Sequence, residues 1–353
     1  MRLAIISPTA NSVPPQREVH PPAMDNNAFP APGSEIPPPP GGLPFGTLAA
    51  SAPVVAAADH AARHWADVDP GPVKLGSEAH KRLACRMFRE TFNPYKPSVI
   101  DWPKLTPEAR DRLINLPIWD IAVHTEGKAR QNMLSYAHSL ADPEWHDAIE
   151  LNGWEEGRHK TVLSNLVQAY GIALVPEPDY PAPRSPEWAY IRTGFSECID
   201  SFFAFGLFAL AKRSGFFPPE LVDTFEPVIQ EECRHILLFA NWVAWTRRNT
   251  PLWRRLWFEM VVIAAWIVLA WNRMSIARGM GADKREEAKH HNFTMTGGKA
   301  VSGIDLGVAG LLRLCLTEND RRFAGYDPRL RRPTTMPSLA RFALLFMRGG
   351  RAA

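Results

Sequence analysis

Two pentapeptides in this chain nearly repeat: Glu155-Glu156-Gly157-Arg158-His159 and Glu231-Glu232-Cys233-Arg234-His235. Each contains Glu-x-x-His. Residues three apart on a helix share a face, so the carboxylate and the imidazole of each motif can reach one point. Two further acids extend the pattern, Glu126 standing 30 residues before Glu156 and Glu197 standing 35 residues before Glu232. Each half of the pattern therefore reads Glu, then Glu-x-x-His. Mixed oxygen and imidazole donors suit iron or manganese, or one of each, better than zinc, which favours four-coordinate sulfur and nitrogen sites.

Such a set works only if helices bring it together. Asp142-Pro143-Glu144, Ser185-Pro186-Glu187 and Thr250-Pro251 each place a capping side chain before a first-turn proline. Gly171 and Gly215 stand where helix ends want a residue that tolerates positive φ. These signals predict four long helices, over about 117–140, 143–171, 186–213 and 218–248. No alternating strand pattern of useful length appears, so the expected class is all-α and the expected architecture a four-helix bundle. The acids and histidines fall on apolar stripes. One stripe runs Ile149, Asn152, Glu156, His159, Leu163, Leu166; the other runs Val228, Glu232, His235, Phe239, Trp242. Burying four carboxylates without partners costs several kcal/mol each. Two divalent cations cancel them formally. Pro227, inside the fourth helix, predicts a kink one turn before Glu232.

On these residues the sequence resembles the ferritin-like di-iron carboxylate superfamily, over about residues 115–248. Both EExRH strings are similar to those of soluble acyl-carrier-protein desaturases. The resemblance implies a ferritin-like bundle with Glu126, Glu156, His159, Glu197, Glu232 and His235 as ligands of two iron ions, Glu156 and Glu232 bridging them. It also implies that Glu155 orients His235 and Glu231 orients His159, with Arg158 and Arg234 balancing those acids. A ligating imidazole needs its other N–H held in any case. Asp200, one turn after Glu197, is a rival for that role. Di-iron monooxygenases carry a threonine one turn after the third-helix glutamate; here Ser201 stands there, a hydroxyl able to donate toward the oxygen site. The expected activity is dioxygen activation for hydroxylation or desaturation of a hydrophobic, lipid-like substrate. A ferroxidase or peroxide scavenger is the alternative. No nicotinamide or flavin fingerprint appears, so electrons are expected from a ferredoxin or a reductase.

The remaining chain frames this core. The formal net charge is +3, with 40 Lys+Arg against 37 Asp+Glu, and nothing demands nucleic acid. Cys85, Cys198, Cys233 and Cys315 lie far apart with no CxxC, which fits a reducing cytosol. Twelve of the 33 prolines fall in the first 50 residues. Residues 1–75 therefore read as a disordered, Pro-rich arm with a short helix near Ala56–Trp65, 76–250 as the di-metal bundle and 251–353 as a helical extension. No uninterrupted apolar run reaches the length of a spanning helix. Residues 256–271 are apolar except Glu259, preceded by Arg254 and Arg255 and followed by Arg273 and Arg278. They read as a fifth helix on the bundle or in a homodimer interface, or as an in-plane membrane contact that would make a cytoplasmic protein peripheral. Lys289-His290-His291 and the arginines from Arg321 to Arg332 read as a solvated basic tail.

Overall fold

The computed structural model describes residues 38–43, 51–95, 102–116, 118–215, 217–278 and 307–349. Among them stand ten α-helices, one 3-10 turn at Pro40–Gly42 and no strand. The helices are α1 (Ala52–Arg63), α2 (Glu78–Glu90), α3 (Pro107–Ile114), α4 (Trp119–Ala137), α5 (Pro143–Tyr170), α6 (Pro186–Ser214), α7 (Pro219–Asn249), α8 (Leu252–Arg278), α9 (Gly307–Phe323) and α10 (Thr335–Gly349). The class is all-α.

Local chemistry sets the long elements. Asp142 caps α5 by accepting from the N–H groups of Glu144 and Trp145 at 3.0 and 3.2 Å. Gly171 and Gly215 end α5 and α6 at φ of 66° and 64°. Ser185 makes no side-chain cap bond to α6, so Pro186 and Glu187 mark that start without it. α7 continues through Pro227, and Val228 and Ile229 just beyond it line the central cavity.

α4 packs on α5 and α6, α6 on α7, α8 and α9, and α2 on α5 and α7. Two glycines on α6 allow close helix packing. A Cβ at Gly194 would lie 2.3 Å from the Phe239 ring, and one at Gly206 2.3 Å from Cys315 Sγ. The core beside the metal motifs is aromatic: Trp242 meets Tyr136, Tyr190 and Phe258 edge-on at centroid separations of 5.4, 4.8 and 5.9 Å.

Two expectations need correction. Residues 51–75, read as arm with a short helix near Ala56–Trp65, pack on the bundle. They carry α1, whose Arg63 bonds Glu226 at 3.0 Å, and Trp65 donates its indole N–H to Glu90 at 2.8 Å. Residues 1–37 and 44–50 lie outside the described residues. The basic tail is a solvated face only in part: Arg321 and Arg331 are exposed. Arg322 is buried and bonds Glu226 at 3.1 Å, while Arg332 donates to the carbonyls of Phe323 and Tyr326. Lys289, His290 and His291 lie outside the described residues. Finally, α6 is long and apolar enough by average hydropathy to cross a membrane, although half of its most apolar window is buried. It also carries Glu197 and Asp200 near its middle.

Candidate metal centre

The two motifs face each other from α5 and α7. The His159 and His235 rings stack with centroids 5.4 Å apart. Ligand atoms of Glu156, His159, Glu232 and His235 all lie within 4.8 Å of one another. This group could hold a metal ion. The histidines and Glu156 are fully buried, and Glu232 is half-buried because it borders a cavity.

Each histidine is held at its far nitrogen by the opposite motif. His159 Nε2 donates to Glu231 at 2.7 Å, and His235 Nε2 donates to Glu155 at 2.8 Å. Arginine holds each of those acids in turn. Arg234 donates to both Glu155 oxygens, at 2.7 and 3.0 Å, and Arg158 donates to Glu231. The guanidinium groups are anchored by α2 and the residues after it. Arg234 donates to the Phe88 carbonyl and to the Thr91 hydroxyl, and Arg158 donates to the Asn93 carbonyl at 2.9 Å. Arg234 also stacks on the Phe88 ring, and Arg158 on Phe92 and Trp154. Rigid support of this kind fixes imidazole orientation before any ion arrives.

The near nitrogens tell a different story. His159 Nδ1 lies 3.1 Å from Glu232 and His235 Nδ1 lies 2.9 Å from Glu156. Neither nitrogen has a partner in hydrogen-bond geometry, and Glu156 Oε1 is likewise unsatisfied. Nε2 of each ring carries one proton, so a carboxylate oxygen this close to Nδ1 requires a second proton on the ring or a metal cation between the two. Either cation satisfies this arrangement, and the four side chains could hold a metal ion in place of the protons.

Glu126 on α4 and Glu197 on α6 complete the wall. Glu126 shares a hydrogen bond with Glu156; burial, then the Glu156 charge, pushes its carboxyl well above the usual range. Burial followed by the Glu156 and Glu232 charges does the same to Glu197, whose two oxygens are both buried without a hydrogen-bond partner. Burial opposes charge on the imidazoles, yet the Glu231 and Glu232 contacts hold His159 well above its usual value. The Glu156 and Glu155 contacts raise His235 to about 10. Burial also opposes the Glu155 charge, but Arg234 and His235 outweigh it and hold this carboxyl low. Without metal, protons on the histidines and on two acids keep the core near neutrality.

The other candidates separate. Ser201 is buried and lines the cavity one turn from Glu197. Asp200 does not take up a histidine; it accepts from Arg273 at 2.7 Å and from Ser196 at 3.0 Å, because Glu155 and Glu231 already hold both rings. The cavity measures about 1070 Å³, with Glu126, Glu156, Glu197 and Glu232 on its wall. Of the phenylalanines on α6, Phe208 borders it while Phe202 and Phe205 belong to the packed core. Sequence reasoning missed the α2 anchors and the loop from Val175 to Arg184 that closes one side of the cavity. Backbone carbonyl acceptors leave no side-chain signature to find.

The chain matches no protein-family model, no curated protein and no solved structure.

Proposed function

We propose that α4 to α7 form a ferritin-like four-helix bundle holding two redox metal ions, iron or a manganese-containing pair. The chain would then act as a dioxygen-activating oxidoreductase on a hydrophobic substrate. One observation carries this reading: unsatisfied buried nitrogen and oxygen donors converge at the wall of a cavity far larger than dioxygen or peroxide needs.

Glu126, Glu156, His159, Glu197, Glu232 and His235 would hold the metals. Glu156 and Glu232, each within 4.0 Å of both histidines, would be shared between the ions. Bound there, the ions would supply two-electron reduction of dioxygen and oxidation of a C–H or N–H bond. The chain's own residues do the rest. Glu155 and Glu231 hold the imidazole N–H groups, and Arg158 and Arg234 keep those acids ionised. Ser201, buried on the cavity wall, would supply a hydroxyl donor to the oxygen site. Apolar walls, among them Leu163, Leu221 and Phe225, exclude water and accept the substrate. Electrons come from a separate ferredoxin or reductase.

The ferroxidase or peroxide-scavenging alternative uses the same ligands but leaves the cavity without a role. Oxygen uptake separates the two. The chain, reconstituted anaerobically with ferrous iron and supplied with a chemical reductant, is expected to consume oxygen faster when hydrophobic compounds are present. Uptake that stops once the iron is oxidised, or turnover on peroxide alone, would favour the alternative.

A further inference from the structure

The cavity changes character along α6, and that gradient describes a ligand. Toward the C-terminal half of α6 its walls are apolar: Leu207, Phe208 and Ala211, faced by Trp119, Leu221 and Phe225. Toward the N-terminal half the lining is basic, with Lys128 from α4, Arg184 from the loop before α6, and Arg192 on α6 itself. Asp179 is the opposing charge at that end, while Asp200, nearer the metal residues, is engaged by Arg273. Glu197 and Ser201 stand between the two ends. From Arg192 to Ala211 the helix rises about 28 Å at ~1.5 Å per residue.

Arg192 is the focus. It is half-buried, and among the described residues no carboxylate pairs with it and no acceptor receives its guanidinium. Its charge meets only the cost of desolvation, which lowers its pKa. The other well-buried arginines beside the centre, Arg158 and Arg234, each hold an acid. A guanidinium left unpaired on a cavity wall is a ready partner for an anion, which it can grip through two parallel N–H bonds.

We infer that the cavity takes an amphiphile with one anionic group, seated with that group on Arg192 and its apolar chain laid past Glu197 and Ser201 toward Phe225. This deepens the oxidoreductase reading by naming the substrate class, and it rests on that reading only for what happens after binding. A carboxylate so held presents carbons part-way along the chain, not its terminal methyl, to the metal residues.

Dodecanoate and dodecanol serve as probes on the full chain, their binding followed by the fluorescence of the cavity tryptophans Trp119 and Trp188. Dodecanoate is expected to bind about tenfold more tightly or better, the range of a charge-assisted pair. Arg192→Gln should remove that preference and leave dodecanol binding unchanged, and Arg192→Lys should keep part of it. Circular dichroism and an unchanged dodecanol affinity confirm that the variants are folded. Equal affinity for the two probes in the parent chain, or an undiminished preference in Arg192→Gln, overturns the inference. Titrations on iron-loaded and chelator-treated protein keep the two readings apart. A retained carboxylate preference in a chain that takes up no iron would sink the metal reading alone.

A separate observation carries a second inference. α8 packs on the bundle through Phe258, Val262, Ala265 and Leu269, all buried. Its opposite face exposes Trp253, Trp257, Met260, Ile263, Ile267 and Trp271, each at least 58% accessible. This stripe extends about 27 Å at ~1.5 Å per residue, with tryptophan at both ends. Among its described side chains the exposed cations, Arg254 and Arg255, stand at the N-terminal end, and the helix's one acid, Glu259, is tied to Arg247 at 2.8 and 3.0 Å. Apolar residues between aromatic ends, with arginines at one of them, match a bilayer interface bearing anionic headgroups. We propose that α8 lies in the plane of such a membrane surface. The full chain should float with vesicles of phosphatidylcholine and phosphatidylglycerol. Ile263→Glu combined with Ile267→Glu should cut the bound fraction about tenfold or more at unchanged helicity. A chain that stays unbound, or binds equally after substitution, contradicts this. So does a dimer that the substitutions turn into monomer, which would assign the stripe to a second copy.

Discussion

Replacing Arg234 with methionine is expected to destabilise the chain by about 3–5 kcal/mol, measured by chemical denaturation of metal-free protein. Arg234 is fully buried and donates to Glu155, to the Phe88 carbonyl and to the Thr91 hydroxyl. Its removal leaves a buried carboxylate with His235 and the more distant Arg158, 3.7 Å away, and a carbonyl with one fewer donor. Methionine keeps the contact with the Phe88 ring but none of the hydrogen bonds. Adding Glu155→Leu to Arg234→Met should recover part of the loss, because the stranded charge then disappears along with its partner. A loss under about 1 kcal/mol for the single variant would show that the guanidinium does not hold this network together.

The second large effect is a dependence of metal-free stability on pH. Folding raises the pKa values of His159, His235, Glu126 and Glu197 above their ordinary values of 6.5 for histidine and 4.5 for glutamate. A group with a raised folded pKa stabilises fully below its unfolded pKa, and that contribution is lost as pH rises through the folded value. The two glutamates begin to lose theirs above about 4.5, and the histidines above about 6.5, with His235 continuing to about 10. Glu155 and Glu156 have lowered folded values and act in the opposite sense, losing their contribution as pH falls below their unfolded range. The Tm of chelated protein should therefore fall steadily as pH rises from about 5 to about 9. Metal replaces the protons, so the rise in Tm on adding ferrous iron should grow over the same interval. A flat Tm profile, or an increment that shrinks with pH, would contradict this picture.

The helices that carry the chemistry were legible because their signals are local. Asp142-Pro143 before α5, and Gly171 and Gly215 after α5 and α6, are read within a few residues, and i, i+3 spacing puts each Glu and His on one face whatever surrounds them. What escaped depends on distant partners. Nothing in the sequence shows that the Phe88 and Asn93 carbonyls anchor Arg234 and Arg158, since a backbone acceptor has no residue type. The arginines after α8 read as a solvated run, yet Arg322 and Arg63 meet at Glu226 on α7, contributed by segments far apart in the chain. Residues 51–75 read as arm for the same reason: their burial comes from α7 and from Tyr326. Asp200 shows the limit of spacing alone, for Arg273, drawn in from α8, claims it instead of a histidine.

Metal content after anaerobic reconstitution with ferrous iron tests the centre most directly. The parent chain is expected to retain two ions per chain after desalting, and Glu156→Ala and Glu232→Ala to retain less than one each. A parent chain that keeps no iron and no manganese, or full occupancy in both variants, would show that these side chains do not form the site.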